Sequence, residues 1–214
     1  MLILWLTGLG MGIFYGIKMA SEFKEDARFE QQTELPPYST LYLKLNPNKP
    51  LSKDDSLRFN IDPDSFQGRI LNDEDENDLG ELTEFDLYIE KSEDNKTSST
   101  KKFSARGKDF ESALKAAQRT QYRFQQTDST LTLDKYLYLT GNGIYRKQRV
   151  NVTLKVPLNT HLIIDGNLNE HLHRVNLWYC QPEDSSYKTP SEWIMTEEGL
   201  KCANDSLYQK KQNL

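Results

Sequence analysis

The stretch VNVTLKV, residues 150–156, alternates apolar and polar side chains at every position. A period of two places the apolar side chains on one face of an extended chain, as in a half-buried β-strand. The same alternation recurs in LYLKL at 41–45, LRFNI at 57–61, EFDLYIE at 84–90, YRFQ at 122–125 and LTLDKYLYL at 131–139. The run DFESALKAAQR at 109–119 instead has helical spacing and is rich in alanine, a strong helix former. The sequence therefore predicts a mainly β domain with one short helix.

The N-terminal segment is apolar, whereas the rest of the chain is polar. Residues 1–17, MLILWLTGLGMGIFYGI, contain no Asp, Glu, Lys, Arg or His. A helix continued to Ala20 is roughly 30 Å long, which matches the hydrocarbon core of a bilayer. We therefore predict a transmembrane helix over 1–20. The alternative is a cleaved signal peptide, but no Lys or Arg precedes Trp5, and cleavage after Ala20 would put Lys18 where a small residue is needed.

Three glycines in this segment, Gly8, Gly12 and Gly16, recur every four residues and so share one helix face. Small residues on one face let another helix approach closely in lipid. We expect this face to mediate self-association or pairing with another membrane protein.

Three further segments follow the predicted anchor. Residues 21–37 read as a charged stalk in which Lys24 and Arg28 alternate with acids, a pattern that argues against a basic patch for lipid headgroups. Residues 38–205 are expected to form one β domain, and 206–214 a polar tail. Within the domain, KSEDNKTSSTKK at 91–102 lacks large apolar side chains and is predicted to be a disordered excursion. The net charge of -5 and the pI of about 5.3 argue against a nucleic-acid partner.

Two groups of residues could hold a metal ion, but each has a more ordinary explanation. Asp73, Asp75, Asn77 and Glu84 occupy positions 1, 3, 5 and 12 of a calcium-binding loop, yet Asp78 stands where the turn glycine belongs. A solvated acidic loop is the much commoner reason for such a run. The second group, His171 and His173, would share a strand face and could chelate zinc or copper, but no third ligand is evident, and a polar edge or loop is the alternative.

Motifs of catalysis are absent from the sequence. It contains no nucleophile elbow G-x-S-x-G, no H-E-x-x-H pair, no phosphate-binding glycine loop and no dinucleotide fingerprint. We therefore predict no catalytic residues, no cofactor and no metal, and a protein that is not an enzyme.

The two cysteines, Cys180 and Cys202, lie on either side of Trp193. In an oxidising compartment they could form a disulfide that closes the last strands of the domain. Two buried free thiols are the alternative in a reducing compartment.

Residues 103–165 and the string WIMTEEGLKC at 193–202 resemble the C-terminal region of Bacteroidota membrane proteins related to phage shock protein C. The matching motifs are SARG at 104–107, the alanine-spaced helix, LTLD at 131–134, and RKQR at 146–149 leading into the strand at 150–156. The resemblance implies a toast-rack domain of stacked strands and a role in envelope stress or maintenance, without a known reaction. The family's small cytoplasmic N-terminal domain does not precede the anchor, so we expect either a fragment or a lineage with anchor and β domain alone.

Two indications of membrane topology disagree. Lys18, Lys24 and Arg28 all follow the anchor, which taken literally places the β domain in the cytoplasm. The cysteine pair and the resemblance indicate the opposite side. We favour an inner-membrane protein with an extracytoplasmic β domain, because the charge count compares two flanks and one is missing if the chain is a fragment.

These features predict a non-enzymatic bacterial envelope protein, anchored by a single membrane helix, that acts by binding or assembly. The alternative is an extracytoplasmic, adhesin-like module that binds a ligand or glycan. Such a module would need exposed aromatic side chains on one sheet face, for which the candidates are Tyr136, Tyr138, Tyr145 and Trp178.

Overall fold

A computed structural model describes residues 23–46, 85–139, 146–182, 185–186 and 188–204, together with the single positions 11 and 21. This part of the chain is mainly β with one α-helix, as predicted. Its strands are β1 (Glu25–Glu34), β2 (Thr40–Asn46), β3 (Phe85–Lys91), β4 (Ser98–Gly107), β5 (Thr120–Gln121), β6 (Phe124–Thr127), β7 (Thr130–Asp134), β8 (Tyr138–Leu139), β9 (Arg149–Val156), β10 (His161–Ile164), β11 (Ser191–Thr196) and β12 (Gly199–Cys202). The helix α1 spans Phe110–Gln118, and two 3₁₀ helices span Gly166–Leu168 and Leu177–Cys180.

Two sheets of different size contain most of these strands. The four-stranded sheet has the order β1-β4-β9-β3, with β3 parallel to β9 and the other neighbours antiparallel. The six-stranded sheet has the order β12-β11-β10-β2-β7-β6, in which β10, β2 and β7 run parallel. Parallel neighbours need long connections, so the strands of this sheet come from widely separated parts of the sequence.

The apolar side chains that alternate along these strands meet in one core. Residues of both sheets belong to the same buried cluster, which includes Leu41, Leu43, Phe85, Leu87, Leu131, Leu133, Val150, Val152, Leu154, Leu162 and Ile164. The strand predicted at 150–156 is observed as β9, whose four apolar side chains are all buried. The period of two thus identified the buried face correctly.

Helix α1 lies within the predicted segment 109–119. Asp109 is its N-cap, and its carboxylate accepts a hydrogen bond from the backbone N–H of Ser112 (2.7 Å). In return, the Ser112 hydroxyl oxygen accepts a hydrogen bond from the backbone N–H of Asp109. Ala113, Ala116 and Ala117 are buried. Their small side chains let the helix pack closely against β1 and β4.

The stalk predicted over 21–37 is corrected by the structure, because most of it is strand β1. Along β1, Ala27 is buried and Phe29 stacks on Phe103 of β4 with ring centroids 4.8 Å apart. The charged side chains of the run point away from these contacts. The β domain therefore begins at Glu25 and not at residue 38. The sequence did not predict this strand because only two of its residues are apolar and face inward, among many charged ones.

The disordered excursion predicted over 91–102 is also wrong. Lys91 ends β3, a turn follows, and residues from Ser98 onward form β4 between β1 and β9. In the turn the Ser92 hydroxyl donates to the Asp94 carboxylate (2.6 Å), and the backbone N–H of Lys96 donates to Ser92 Oγ (3.2 Å). Backbone pairing on both sides of β4 stabilises a strand whose side chains are mostly polar, which a hydropathy pattern does not detect.

The segment 131–139 is not one continuous strand. It divides into β7 and β8, and β8 pairs with β5 in a separate two-stranded sheet. The parallel pairing of β2 with β7 ends where the backbone N–H of Lys135 donates to the carbonyl of Asn46 (2.9 Å).

Within the described residues, no helix has both the length and the apolar character needed to cross a membrane. The strand predicted at 57–61 and the anchor predicted at 1–20, with Gly8, Gly12 and Gly16, lie outside the described residues apart from position 11.

Candidate functional site

Cys180 and Cys202 are joined by a disulfide with a Cα–Cα distance of 5.5 Å and a sequence separation of 22 residues. Cys180 ends a 3₁₀ helix, and Cys202 ends β12 directly opposite Trp193 of β11. Trp193 is buried, and its indole N–H donates to the Ser191 hydroxyl oxygen (2.8 Å). The disulfide therefore connects the loop before β11 to the last strand of the sheet.

The two closely spaced histidines lie along the edge of β3 but engage different partners. The backbone carbonyl of His171 accepts a hydrogen bond from the backbone N–H of Leu87 (2.7 Å), and the backbone N–H of His173 donates to the carbonyl of Leu87 (2.9 Å). The His171 ring stacks on Phe85 (4.1 Å between centroids) and the His173 ring on Tyr88 (4.6 Å). Both rings therefore pack against β3, in keeping with the polar-edge alternative.

Hydrogen bonds hold both rings in place. His171 Nδ1 lies 3.2 Å from the carbonyl oxygen of Phe85, and His173 Nε2 lies 2.7 Å from the Asp86 carboxylate. Burial lowers the pKa of His171 below its ordinary value, because desolvation disfavours the charged imidazolium more than the Phe85 carbonyl favours it. His171 therefore favours the neutral form in the folded protein.

The remaining residues considered for metal binding are the third histidine and the acidic loop. The third histidine, His161, lies beside Glu192 on the surface (3.1 Å). Among described residues no group of three His, Cys, Asp or Glu side chains is arranged to hold a metal ion. The loop residues Asp73, Asp75, Asn77 and Glu84 lie outside the described residues.

Of the aromatic set required by the adhesin-like alternative, the two described side chains, Tyr136 and Trp178, do not form an exposed pair on one sheet face. Tyr136 is only 8% exposed and packs within the domain. Trp178 is 50% exposed but lies in a 3₁₀ helix, with its ring edge-on to Tyr179. The side chains of Tyr138 and Tyr145 lie outside the described residues.

One buried charge was not identified from the sequence. The Asp134 side chain is almost fully buried at the end of β7, where its carboxylate accepts from the Asn46 side-chain amide (2.8 Å) and lies 3.9 Å from Arg123 Nε. Asn46 and Asp134 are direct partners in the parallel register of β2 and β7. Their hydrogen bond joins the ends of the two strands, and its sequence signal is only an acid at the end of an alternating strand.

A second feature missed by the sequence is the polar inner side of β4. Thr97 and Ser99 are buried, and within the described part of the chain their hydroxyl oxygens have no hydrogen-bond partner. Lys101, two residues further along, is half-buried, and desolvation lowers the pKa of its ammonium group. These residues belong to the run that the sequence assigned to a solvated loop.

Together these elements define a mainly β domain of stacked strands closed by one disulfide. The family model described as "ToastRack found in some PspC" matches residues 71–208. The chain therefore belongs to this family of toast-rack domains, as the resemblance implied.

Comparison with solved structures gives two further similarities, both to proteins titled "putative adhesin". One is from Parabacteroides distasonis ATCC 8503, with 9% identity, a TM-score of 0.25, and coverage of 60% of this chain and 32% of that one. The other is from Parabacteroides merdae ATCC 43184, with 7% identity, a TM-score of 0.24, and coverage of 62% and 35%. This chain spans about a third of the length of each. No curated protein matches the chain.

Proposed function

We propose that this protein is a membrane-tethered toast-rack module that acts by binding or assembly in the bacterial envelope, in stress response or maintenance, without catalysing a reaction. The observation that carries the proposal is the start of the β domain at Glu25, directly after the apolar segment. Only residues 21–24 separate Ala20 from β1, and four extended residues span about 14 Å at most. A bilayer-spanning helix at 1–20 would thus hold the domain beside the headgroups.

Several observations support a role in binding. The chain belongs to a family of domains found in some PspC proteins. The two histidines that first suggested a metal site are engaged in packing, with His171 stacked on Phe85 and His173 on Tyr88. An extracytoplasmic position fits the bond between Cys180 and Cys202, since disulfides persist in oxidising compartments.

Membrane fractionation of the full chain tests the tether. We expect the protein to remain in the membrane pellet after alkaline carbonate extraction, and a variant lacking residues 1–20 to move to the supernatant. Intact mass measurement then separates an anchor from a cleaved signal peptide. Release of the full-length chain, or a mature N-terminus near residue 21, would refute the tethered module.

The compartment is tested by trapping thiols in intact cells. If the β domain is extracytoplasmic, Cys180 and Cys202 should resist alkylation until a reductant is added. Both thiols free in freshly quenched cells would place the domain in the cytoplasm and support the literal count of flanking charges.

A further inference from the structure

Strand register brings cationic residues to one end of the four-stranded sheet. Glu25 of β1 pairs with Gly107 of β4, so Lys24 and Lys108 flank the same end. The backbone N–H of Arg106 donates to the carbonyl of Arg146 (2.9 Å), which brings the segment before β9 to this end as well. We call the surface formed by Lys24, Arg106, Lys108, Phe110 and Lys147 the basic end.

The cations of the basic end are exposed. Lys24, Arg106, Lys108 and Lys147 all lie on the surface, and none of them has an ion pair with another described residue. Exposed cations without an ion pair are unexpected in a chain whose net charge is -5.

Most neighbouring acids already have partners. Asp26 pairs with Arg28 (2.8 Å) and Glu111 with Lys115 (2.5 Å), while Asp109 caps α1. Glu25 is the remaining carboxylate on these strands and helix at this end. The Asp109 carboxylate keeps its charge as a cap and interacts with Lys108, so Glu25 and Asp109 offset two of the four exposed cations and the local field stays positive.

The opposite end of the same sheet has a different charge arrangement. There Lys96 pairs with Glu34 (2.9 Å) and Lys91 with Glu197 (2.6 Å), and the turn between β3 and β4 adds Glu93. Lys155 of β9 also lies at this opposite end without an ion pair to a described residue, so cations without a described partner are fewer here than at the end where the chain enters the domain.

An exposed aromatic side chain accompanies these cations. Phe110, the first residue of α1, is 61% exposed and lies two positions after Lys108. Gly107 has no side chain, so α1 can begin against the end of β4; a Cβ there would lie 2.6 Å from Ser112 Oγ. Aromatic and cationic side chains together are typical of surfaces at the membrane interface.

Resting on the proposed tether, we propose that the basic end docks on anionic lipid headgroups of the bilayer that holds the N-terminal helix. Lys24 lies four residues after Ala20, within reach of the headgroup layer. Each cation near an anionic surface contributes about 1 kcal/mol, or roughly a fivefold change in the ratio of docked to undocked domain. Docking would fix the orientation of the domain on the membrane.

Hydrogen exchange of the full chain in lipid nanodiscs tests this docking. The discs would contain phosphatidylcholine alone or phosphatidylcholine with about 30% phosphatidylglycerol. We expect amides of α1 and of 106–108 to exchange several-fold more slowly in the anionic discs, and the difference to disappear in about 0.5 M NaCl, where charges are screened. Equal exchange in the two lipids would overturn the proposal.

Two matched variants assign the effect to particular residues. The triple variant R106Q/K108Q/K147Q should lose the lipid-dependent protection, whereas K44Q/K96Q/K201Q, which removes the same charge elsewhere, should retain it. Phe110→Ala should reduce the protection in part. Loss in both triple variants, or in neither, would overturn the proposal, and circular dichroism melts confirm that each variant folds.

The experiment also separates the docking from the tether. A chain that co-floats with both kinds of disc but exchanges equally in them has the anchor without the docking. A chain that floats with neither disc lacks the anchor, and the proposed function fails with it.

Discussion

Gly107 shows how one residue sets the position of an element. It lies at the end of β4, and a Cβ at this position would meet the backbone nitrogen of Ala113 and approach the Ala113 Cα to 2.9 Å. The neighbouring atoms belong to the first turn of α1, which is fixed by the reciprocal cap between Asp109 and Ser112. The helix can therefore accommodate a side chain at 107 only by moving away from the sheet.

Gly107→Ala should lower the free energy of unfolding by about 1–3 kcal/mol, the usual cost of inserting a methyl group into a close contact. Chemical denaturation of the chain lacking residues 1–20 measures the change. The adjacent exposed substitution Arg106→Ala is the control and should stay within about 0.5 kcal/mol of wild type. A neutral result for Gly107→Ala would show that α1 shifts without cost.

His171 gives the folded protein a dependence on pH. Its pKa is lowered from the ordinary value of 6.5 because the ring is largely buried against Phe85. As the pH falls below 6.5, the unfolded chain takes up a proton before the folded chain does. The stability contributed by neutral His171 is therefore complete above this pH and is lost as the pH falls toward the folded pKa.

His171→Phe should flatten the decline in stability below pH 6.5, because the variant keeps an aromatic ring on Phe85 and removes the titrating group. Urea melts across this range measure the slope. His161→Gln, at an exposed histidine beside Glu192, should leave most of the slope unchanged. An unchanged slope in His171→Phe would assign the acid sensitivity to other groups.

Strand β4, in the four-stranded sheet, is the element that most changes the interpretation of the sequence. Residues 98–102 look like part of a loop by composition, yet they occupy a central strand that pairs with both β1 and β9. Their contribution comes from backbone hydrogen bonds and from the register that they impose on two neighbours. A central strand cannot be shortened without exposing both neighbouring edges.

Replacing residues 91–102 with a short Gly-Ser connection should lower stability by more than about 4 kcal/mol or abolish cooperative unfolding, since half of β4 is removed. The control replaces only the turn residues 93–95 at constant length and should shift Tm by no more than about 5 °C. Thermal melts followed by circular dichroism compare the two. Full stability of the shortened chain would restore the interpretation of this run as a dispensable loop.

The disulfide connects a loop to the last strand of the six-stranded sheet. Its 22-residue separation corresponds to about 3 kcal/mol in the loop-closure model. Substituting Ser for both Cys180 and Cys202 should therefore cost about 2–4 kcal/mol, measured by denaturant melts. Reductant should destabilise the wild type to the same extent and leave the double variant unaffected. If reductant also destabilised the double variant, its effect on the wild type could not be assigned to loss of the disulfide.

For the molecule as a whole, the proposed membrane anchor at 1–20 would limit the partners of the domain to those at the membrane. If the Gly8, Gly12 and Gly16 face pairs helices in the membrane, Gly12→Ile should weaken association of the full chain in a membrane two-hybrid assay. Gly10→Ile is the matched control, because position 10 lies off that face. Equal signals from the two variants at equal expression would exclude the glycine face as the contact.

The sequence by itself determined the fold class, the helix and the buried face of the strongly alternating strands. Strand β9 and helix α1 were identifiable because their apolar spacing matches one periodicity throughout. The cysteine pair and the motifs at 103–165 and 193–202 were likewise evident; the structure contains the disulfide, and the family model covers both groups of motifs. The local hydropathy pattern is enough to predict an element that is stabilised by burying one face.

Only the tertiary structure decided where polar segments belong. Strands β1 and β4 pair with each other along ten residues, although composition predicted a stalk and a loop. The same pairing gathers Lys24, Lys108 and, through Arg106, Lys147 at one end of the sheet, whereas the alternating charges of 21–32 alone gave no basic patch. Backbone hydrogen bonds between distant segments carry no signature in side-chain hydropathy, so these strands and the surface they form emerge only on folding.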